Sequence, residues 1–208
     1  MKALLVKDIQ FNLRYIISSF LIAIIIYSLF CIEGGSSNLL ISVTLIPIII
    51  FNLAIGKLCF MDDRDKSSNY LEALPFKKDN FVAVKFLEGI LILAISLLII
   101  ILENYLLKVI IDINFKIDIY YIISSLSFLL IYIGAFFIIY YKYNYQMANQ
   151  LVIFFYIAVL FLFKFIMEKF PDVINLFNYK VSYLLIFIIS LSIYYIFYKI
   201  CIKLYKSR

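Results

Sequence analysis

Residues 81–107 read FVAVKFLEGILILAISLLIIILENYLL, and the fourteen residues between Glu88 and Glu103 carry no charge. A helix in a soluble protein is apolar on one stripe and polar on the other. This run is apolar on every face. About 20 such residues cross the hydrocarbon core of a bilayer, so the stretch reads as a membrane span.

Working outward, five further segments read the same way: roughly 15–32, 39–60, 119–141, 150–167 and 181–204. The first holds eleven strongly apolar residues, which favour insertion by roughly 5 kcal/mol. Lys164 in the fifth is offset by its apolar neighbours and sits near an end, where its ammonium can snorkel. The expected fold is an all-α integral membrane protein with six spans and a single membrane domain, residues 1–208. Composition agrees. Of 208 residues 66% are hydrophobic, with a mean hydropathy of +1.06, whereas soluble domains are about 45–50% apolar. The apolar run from Tyr15 to Ile32 is too long for a signal-peptide core and precedes no small-residue cleavage site, so it reads as a retained helix.

The chain has no His, which excludes His-ligated haem, His-based zinc sites and His proton relays. Its three cysteines fit neither a metal nor a disulfide spacing, and Cys31 falls at the opposite membrane face from Cys59 and Cys201. No metal site is expected. The net charge of +6 fits basic residues gathered at one membrane face, not nucleic-acid binding. Fourteen of the 19 basic residues fall at the ends and loops of one side, among them Lys2, Lys7, Arg14, Lys57, Arg64, Lys77, Lys78, Lys85, Lys142 and Lys199. That excess places both termini and the 61–80 loop in the cytoplasm.

Residues 1–14 are too polar to insert. As a helix they carry Leu5, Ile9 and Leu13 on one stripe, with Lys7, Gln10 and Arg14 opposite. They read either as an interfacial amphipathic helix with basic residues for lipid headgroups or as an extension of the first span. The 61–80 loop reads MDDRDKSSNYLEALPFKKDN. Asn69 with Glu72 three residues on is a capping-box-like helix start, and Pro75 ends that helix. The short helix offers Tyr70, Leu71 and Leu74 either to a docking partner or to the ends of the spans.

Ionisable residues inside spans are functional candidates. The fourteen residues between Glu88 and Glu103 make about 21 Å of helix, less than a membrane core, so at least one acid is buried, paired or in a cavity. Lys85 lies one turn before Glu88, and Lys57 is offered as its partner. The acids read either as structural ion pairs or as parts of a pathway or gate. Pro47 in the second span, with Asn52 beyond it, frees a carbonyl and permits a kink, either static or hinging. The tyrosines around the fourth span read as interfacial belts.

This layout resembles the permease subunits of ABC-2-type ABC transporters. The resemblance covers the chain in topology and is sharpest over 62–93: Asp62 and Asp63, Tyr70, Leu74-Pro75, Lys77-Lys78 and Lys85. The opening MKALLVKDI is similar too. It implies that residues 1–14 are an elbow helix. It also implies that 68–75 are a coupling helix, with Tyr70, Leu71, Glu72, Leu74, Pro75, Lys77 and Lys78 contacting a separate ATPase. The family's short re-entrant helices after span five are shortened or lost here, since Glu168–Lys180 is brief. The small size looks most like exporters of bacteriocins, antimicrobial peptides or phenol-soluble modulins in a bacterial plasma membrane. The five glycines build no phosphate-binding loop, so the chain binds no cofactor itself and performs no catalysis. ATP and Mg²⁺ would belong to the partner, in an assembly of two permease chains, identical or paralogous, and two ATPases. The rival reading is a stand-alone membrane immunity or scaffold protein. A membrane-embedded enzyme has little to work with.

Overall fold

The computed structural model describes residues 2–33, 39–64, 78–111, 119–150 and 180–207, together with Phe154 and Ile157. All regular structure among them is helical. The elements are α1 (Lys2–Glu33), α2 (Leu39–Phe51), a π-helical segment (Asn52–Gly56), α3 (Lys57–Arg64), α4 (Lys78–Ile111), α5 (Ile119–Lys142) and α6 (Lys180–Lys206). Five stretches are long and apolar enough to cross a membrane: Asn12–Leu29, Val43–Arg64, Asp79–Leu107, Ile122–Lys142 and Tyr183–Lys206. Of the expected fifth span, 150–167, only Gln150, Phe154 and Ile157 are among the described residues, and most of the 61–80 loop lies outside them.

Residues 2–14 run into the first span without a break, so α1 is one helix of 32 residues, about 48 Å long. Its inward line is Asp8, Asn12, Ser19, Ala23 and Tyr27, while Ile9, Leu13, Leu21, Ile25 and Leu29 point outward. The outer faces of α4 and α6 are likewise apolar, with Leu98, Leu102, Leu184, Leu185 and Ile188 exposed. A continuous apolar exterior of this kind suits lipid, not water.

The core is built on aromatic rings. Phe51 of α2 stands edge-on to Tyr132, Phe136 and Phe137 of α5, with centroids 5.9, 5.2 and 5.9 Å away. Phe86 of α4 continues the chain of contacts to Phe137 at 4.9 Å and to Tyr194 of α6 at 5.1 Å. The Phe51 pairs are edge-to-face and the Phe86 pairs tilted, and such ring contacts favour one packing geometry over its neighbours. Glycines let the helices close up. A Cβ on Gly134 would run into the Phe197 ring, and one on Gly89 would stand 3.0 Å from Ile133.

Ring contacts also fix the directions of the helices. Tyr120 and Tyr183, near the starts of α5 and α6, lie 5.2 Å apart, and Tyr141 and Tyr205, near their ends, lie 5.6 Å apart. The two helices therefore run parallel. Lys206, at the end of α6, pairs with Asp79 at the start of α4 at 2.8 Å, and Asp8 near the start of α1 reaches Lys85 of α4. Both chain ends thus lie at the end of the bundle where α3 stops and α4 begins.

Candidate functional site

The second span is irregular where the sequence placed Pro47 and Asn52. Pro47 has no N–H, so the carbonyl four residues earlier, on Val43, loses its helical partner. The Ser125 hydroxyl of α5 donates to that carbonyl at 3.1 Å. In a water-free interior such a repair is required. The helix continues past Pro47 to Phe51 and then widens into the π turn, Asn52–Gly56. Such π turns inside α-helices are rare and occur frequently at functional sites. Here the Asn52 amide meets the Tyr132 hydroxyl, donating to it at 2.8 Å and accepting from it at 3.0 Å. Asn12 of α1 donates through Nδ2 to the Ala54 carbonyl at 2.5 Å. The π turn is therefore held from both sides, by α1 and by α5.

Beyond this turn, at the end of the bundle that holds the termini, the charged residues converge. Lys85 is 8% exposed. Its ammonium lies 3.0 Å from Asp8 Oδ2 of α1 and 2.9 Å from Asp62 Oδ2 of α3. Lys7 approaches Asp8 from the exposed edge at 4.0 Å. Glu88, one helical turn farther along the same face of α4, is 6% exposed. Its carboxyl lies in the field of Lys85, Asp8 and Asp62. Its Oε1 is buried and has no partner. Asp63, beside Asp62, accepts from the Tyr145 N–H at 2.7 Å, and Asn144 accepts from the Met147 N–H at 2.9 Å. These two side chains satisfy orphan donors where the chain turns helical again after α5. The Tyr145 ring packs on Gly56 and Phe60; burial raises the pKa of its hydroxyl, and Cys59 raises it further.

The sequence brought Lys85 and Glu88 together on one face, and the structure keeps them there. Lys57 does not join them. Its ammonium stands over the rings of Tyr15 and Phe60, 5.4 and 5.0 Å from their centroids, a cation–π arrangement. The cation beside Glu88 is Lys85. Glu103 is buried separately at the other end of α4. Asp8 was missed as a site residue. Its signal was available: Asp8 and Asn12, four residues apart, put two polar groups on one line of α1, the line that continues inward as Ser19, Ala23 and Tyr27. Of the coupling-loop residues, Tyr70, Leu71, Glu72, Leu74, Pro75 and Lys77 lie outside the described residues, and Lys78 opens α4. Asp62 and Lys85 flank that loop in sequence, and their 2.9 Å contact clamps its two ends. On α1, Ile9, Leu13 and Arg14 are exposed, Lys7 is half-buried, and the Leu5 side chain lies outside the described set.

An apolar groove of about 400 Å³ opens between α4 and α6, lined by Phe86, Leu87, Ile90, Leu191, Tyr194 and Tyr198. Among the described residues, no group of acids and cysteines could hold a metal ion.

Residues 3–206 match a family model described as an ABC-2 family transporter protein. No curated protein and no solved structure matches the chain.

Proposed function

Because the chain belongs to the ABC-2 family of transporter proteins, it is a multi-pass membrane permease of an ABC transporter, and we propose that it exports an amphipathic or apolar peptide using a separate ATPase. The observation that carries this reading is the clamp around Lys85. It joins the N-terminal helix to both flanks of residues 65–77, the segment proposed to dock on the ATPase through Tyr70, Leu71, Glu72, Leu74, Pro75, Lys77 and Lys78. A push on that loop reaches α1, α3 and α4 together, because Asp8, Asp62 and Lys85 meet at one ammonium.

Other features support the finer parts. The parallel course of α5 and α6 supports a further crossing by the chain between them, and so six spans. The basic excess at the end holding both termini supports a cytoplasmic position for that end in a bacterial plasma membrane. The exposed Ile9, Leu13 and Arg14 support an elbow role for the start of α1, with lipid headgroups as its partners. The apolar α4–α6 groove suits hydrophobic side chains. The π turn after Pro47, held by Asn52 and Asn12, is the proposed moving part of the second span. Glu103 is proposed to line the pathway near its outer end. By family resemblance two permease chains, identical or paralogous, assemble with two ATPases, which hold ATP and Mg²⁺.

The test is co-purification. The tagged chain, taken from membranes in gentle detergent with nucleotide present, is expected to carry a stoichiometric soluble ATPase. Leu71→Asp or Leu74→Asp should release it. A chain that comes down alone would favour the immunity or scaffold reading, and an ATPase that survives both substitutions would remove residues 68–75 from the contact.

A further inference from the structure

The groove between α4 and α6 opens on the outside of the bundle, beside the exposed Leu87, Ile90, Leu191 and Tyr195. The two helices run antiparallel along it. Phe86 meets Tyr194 and Tyr198 at 5.1 and 5.4 Å, and the Lys206–Asp79 ion pair closes the end of the interface. The buried Tyr194 hydroxyl is spent on the Phe86 carbonyl, to which it donates at 2.9 Å, so its ring is left to the groove. A slot of about 400 Å³ with aromatic and aliphatic walls accepts a hydrocarbon chain and offers little to a polar one.

Charge is placed at one end of this slot. The Lys199 ammonium stands over the rings of two wall residues, Tyr195 and Tyr198, 5.3 and 6.0 Å from their centroids. Lys203 follows one turn later on the exposed side of α6 and has no ion-pair partner among the described residues. No acid on the two helices is left for either lysine: α6 carries none, and at this end of α4 Asp79 is taken by Lys206 while Glu88 is buried. Depth fits as well. Lys206 and Asp79 are exposed and mark the water side. Lys199 lies seven residues inward of Lys206, about 10 Å of helix, close to the inner edge of a headgroup layer about 5–8 Å thick. Its ammonium can snorkel to that layer, and the groove continues inward from it. We propose that the α4–α6 groove seats one acyl chain of an anionic phospholipid, whose phosphate is held by Lys199 and Lys203. The two lysines supply the charge complementarity, which a second copy of this chain does not: the same face turned on itself would set lysine against lysine. The inference holds whatever the chain transports; a peptide using this groove would enter by displacing the lipid.

The chain has no Trp, so one introduced Trp reports one place. Leu191→Trp puts it at the groove, and Ile25→Trp, on the outward face of α1, is the reference. The full chain is reconstituted in phosphatidylcholine bilayers, and Trp quenching by brominated phosphatidylglycerol is compared with quenching by brominated phosphatidylcholine. At residue 191 the anionic lipid is expected to be preferred by about fivefold for each lysine, and at residue 25 the two lipids should quench alike. Lys199→Gln with Lys203→Gln should remove the preference. Ala83→Phe, which fills the groove beside Phe86 and keeps both lysines, should remove it too. Equal quenching at residue 191, or a preference that survives the two Gln substitutions, overturns the proposal. So does a preference that survives Ala83→Phe, because the lysines would then attract lipid without a seat for its chain. A Trp at 191 that neither lipid quenches also overturns it, in favour of a protein cover. If Leu191→Trp does not fold, Tyr195→Trp, which keeps an aromatic ring beneath Lys199, carries the same comparison with the same outcomes.

Discussion

Replacing Lys85 with Met removes one ammonium and keeps most of the apolar stem. The structure sets the cost. Asp8 and Asp62 both lie within 3.0 Å of Nζ, on different helices, so their oxygens are no more than about 6 Å apart. With the cation gone they repel each other by about 3 kcal/mol at an effective dielectric of 20. Their side chains are only 14% and 22% exposed, so water screens little of this. Removing one member of a buried ion pair typically costs about 3–5 kcal/mol, and the two figures agree. For a chain of this size the loss corresponds to a Tm lower by about 10 °C. The assay is thermal unfolding of the detergent-purified chain, followed by the loss of the monodisperse peak. The reasoning also fixes a rescue. Asp8→Asn and Asp62→Asn, added to Lys85→Met, remove the repulsion and should recover most of the lost Tm. A single variant as stable as the parent would refute the clamp. So would a triple variant no better than the single one, because packing of the Lys85 stem would then be the cause.

Ser125→Ala leaves the Val43 carbonyl bare and should cost about 1 kcal/mol; in a Pro47→Ala background, where residue 47 again donates to that carbonyl, the cost should vanish, and an unchanged cost in the thermal double-mutant cycle would deny the repair. Gly134→Ala drives a methyl into the Phe197 ring and should lower Tm by several degrees, with Phe197→Ala relieving the clash. Asn12→Ala strips the Ala54 carbonyl of its donor inside the membrane and should cost about 1–3 kcal/mol; hydrogen exchange should then rise at Asn52–Gly56 before the rest of α2, and a uniform rise would show that Asn12 does not hold the π turn.

The five spans among the described residues were legible because their signal is local. Glu88 to Glu103 is apolar on every face, and no tertiary partner is needed to read that. Pro47 and Asn52 were legible as an irregularity for the same reason, since the lost N–H belongs to Pro47 itself. What the irregularity became was not legible. The repair comes from Ser125 and the brace from Asn12, residues 82 and 42 positions away, and a helical period does not say which helix faces which. The same blindness misassigned the cation. Lys57 and Lys85 sit at the same end of adjacent spans and carry the same charge, and only the rotation of the helices decides between them. That rotation turned Lys57 onto Tyr15 and Phe60 and gave Lys85 to the acids.

The two devices along the second span are connected, and this connection is what makes the site more than a salt bridge. Asn12 braces the π turn and Asp8 grips Lys85, and these residues lie one turn apart on the same line of α1. A tilt of α1 therefore loads both contacts. If the clamp opens, α1 moves and the Ala54 carbonyl loses its donor, so the π turn is free to rewind as an α-helix. Rewinding would turn α3, and with it Asp62 and Asp63, relative to α2. The charges at the mouth and the irregular turn deeper in would then be two readouts of one motion. Variants at Lys85 and Asn12 should accordingly be non-additive in stability, whereas Lys85 and Gly134, which share no contact, should add.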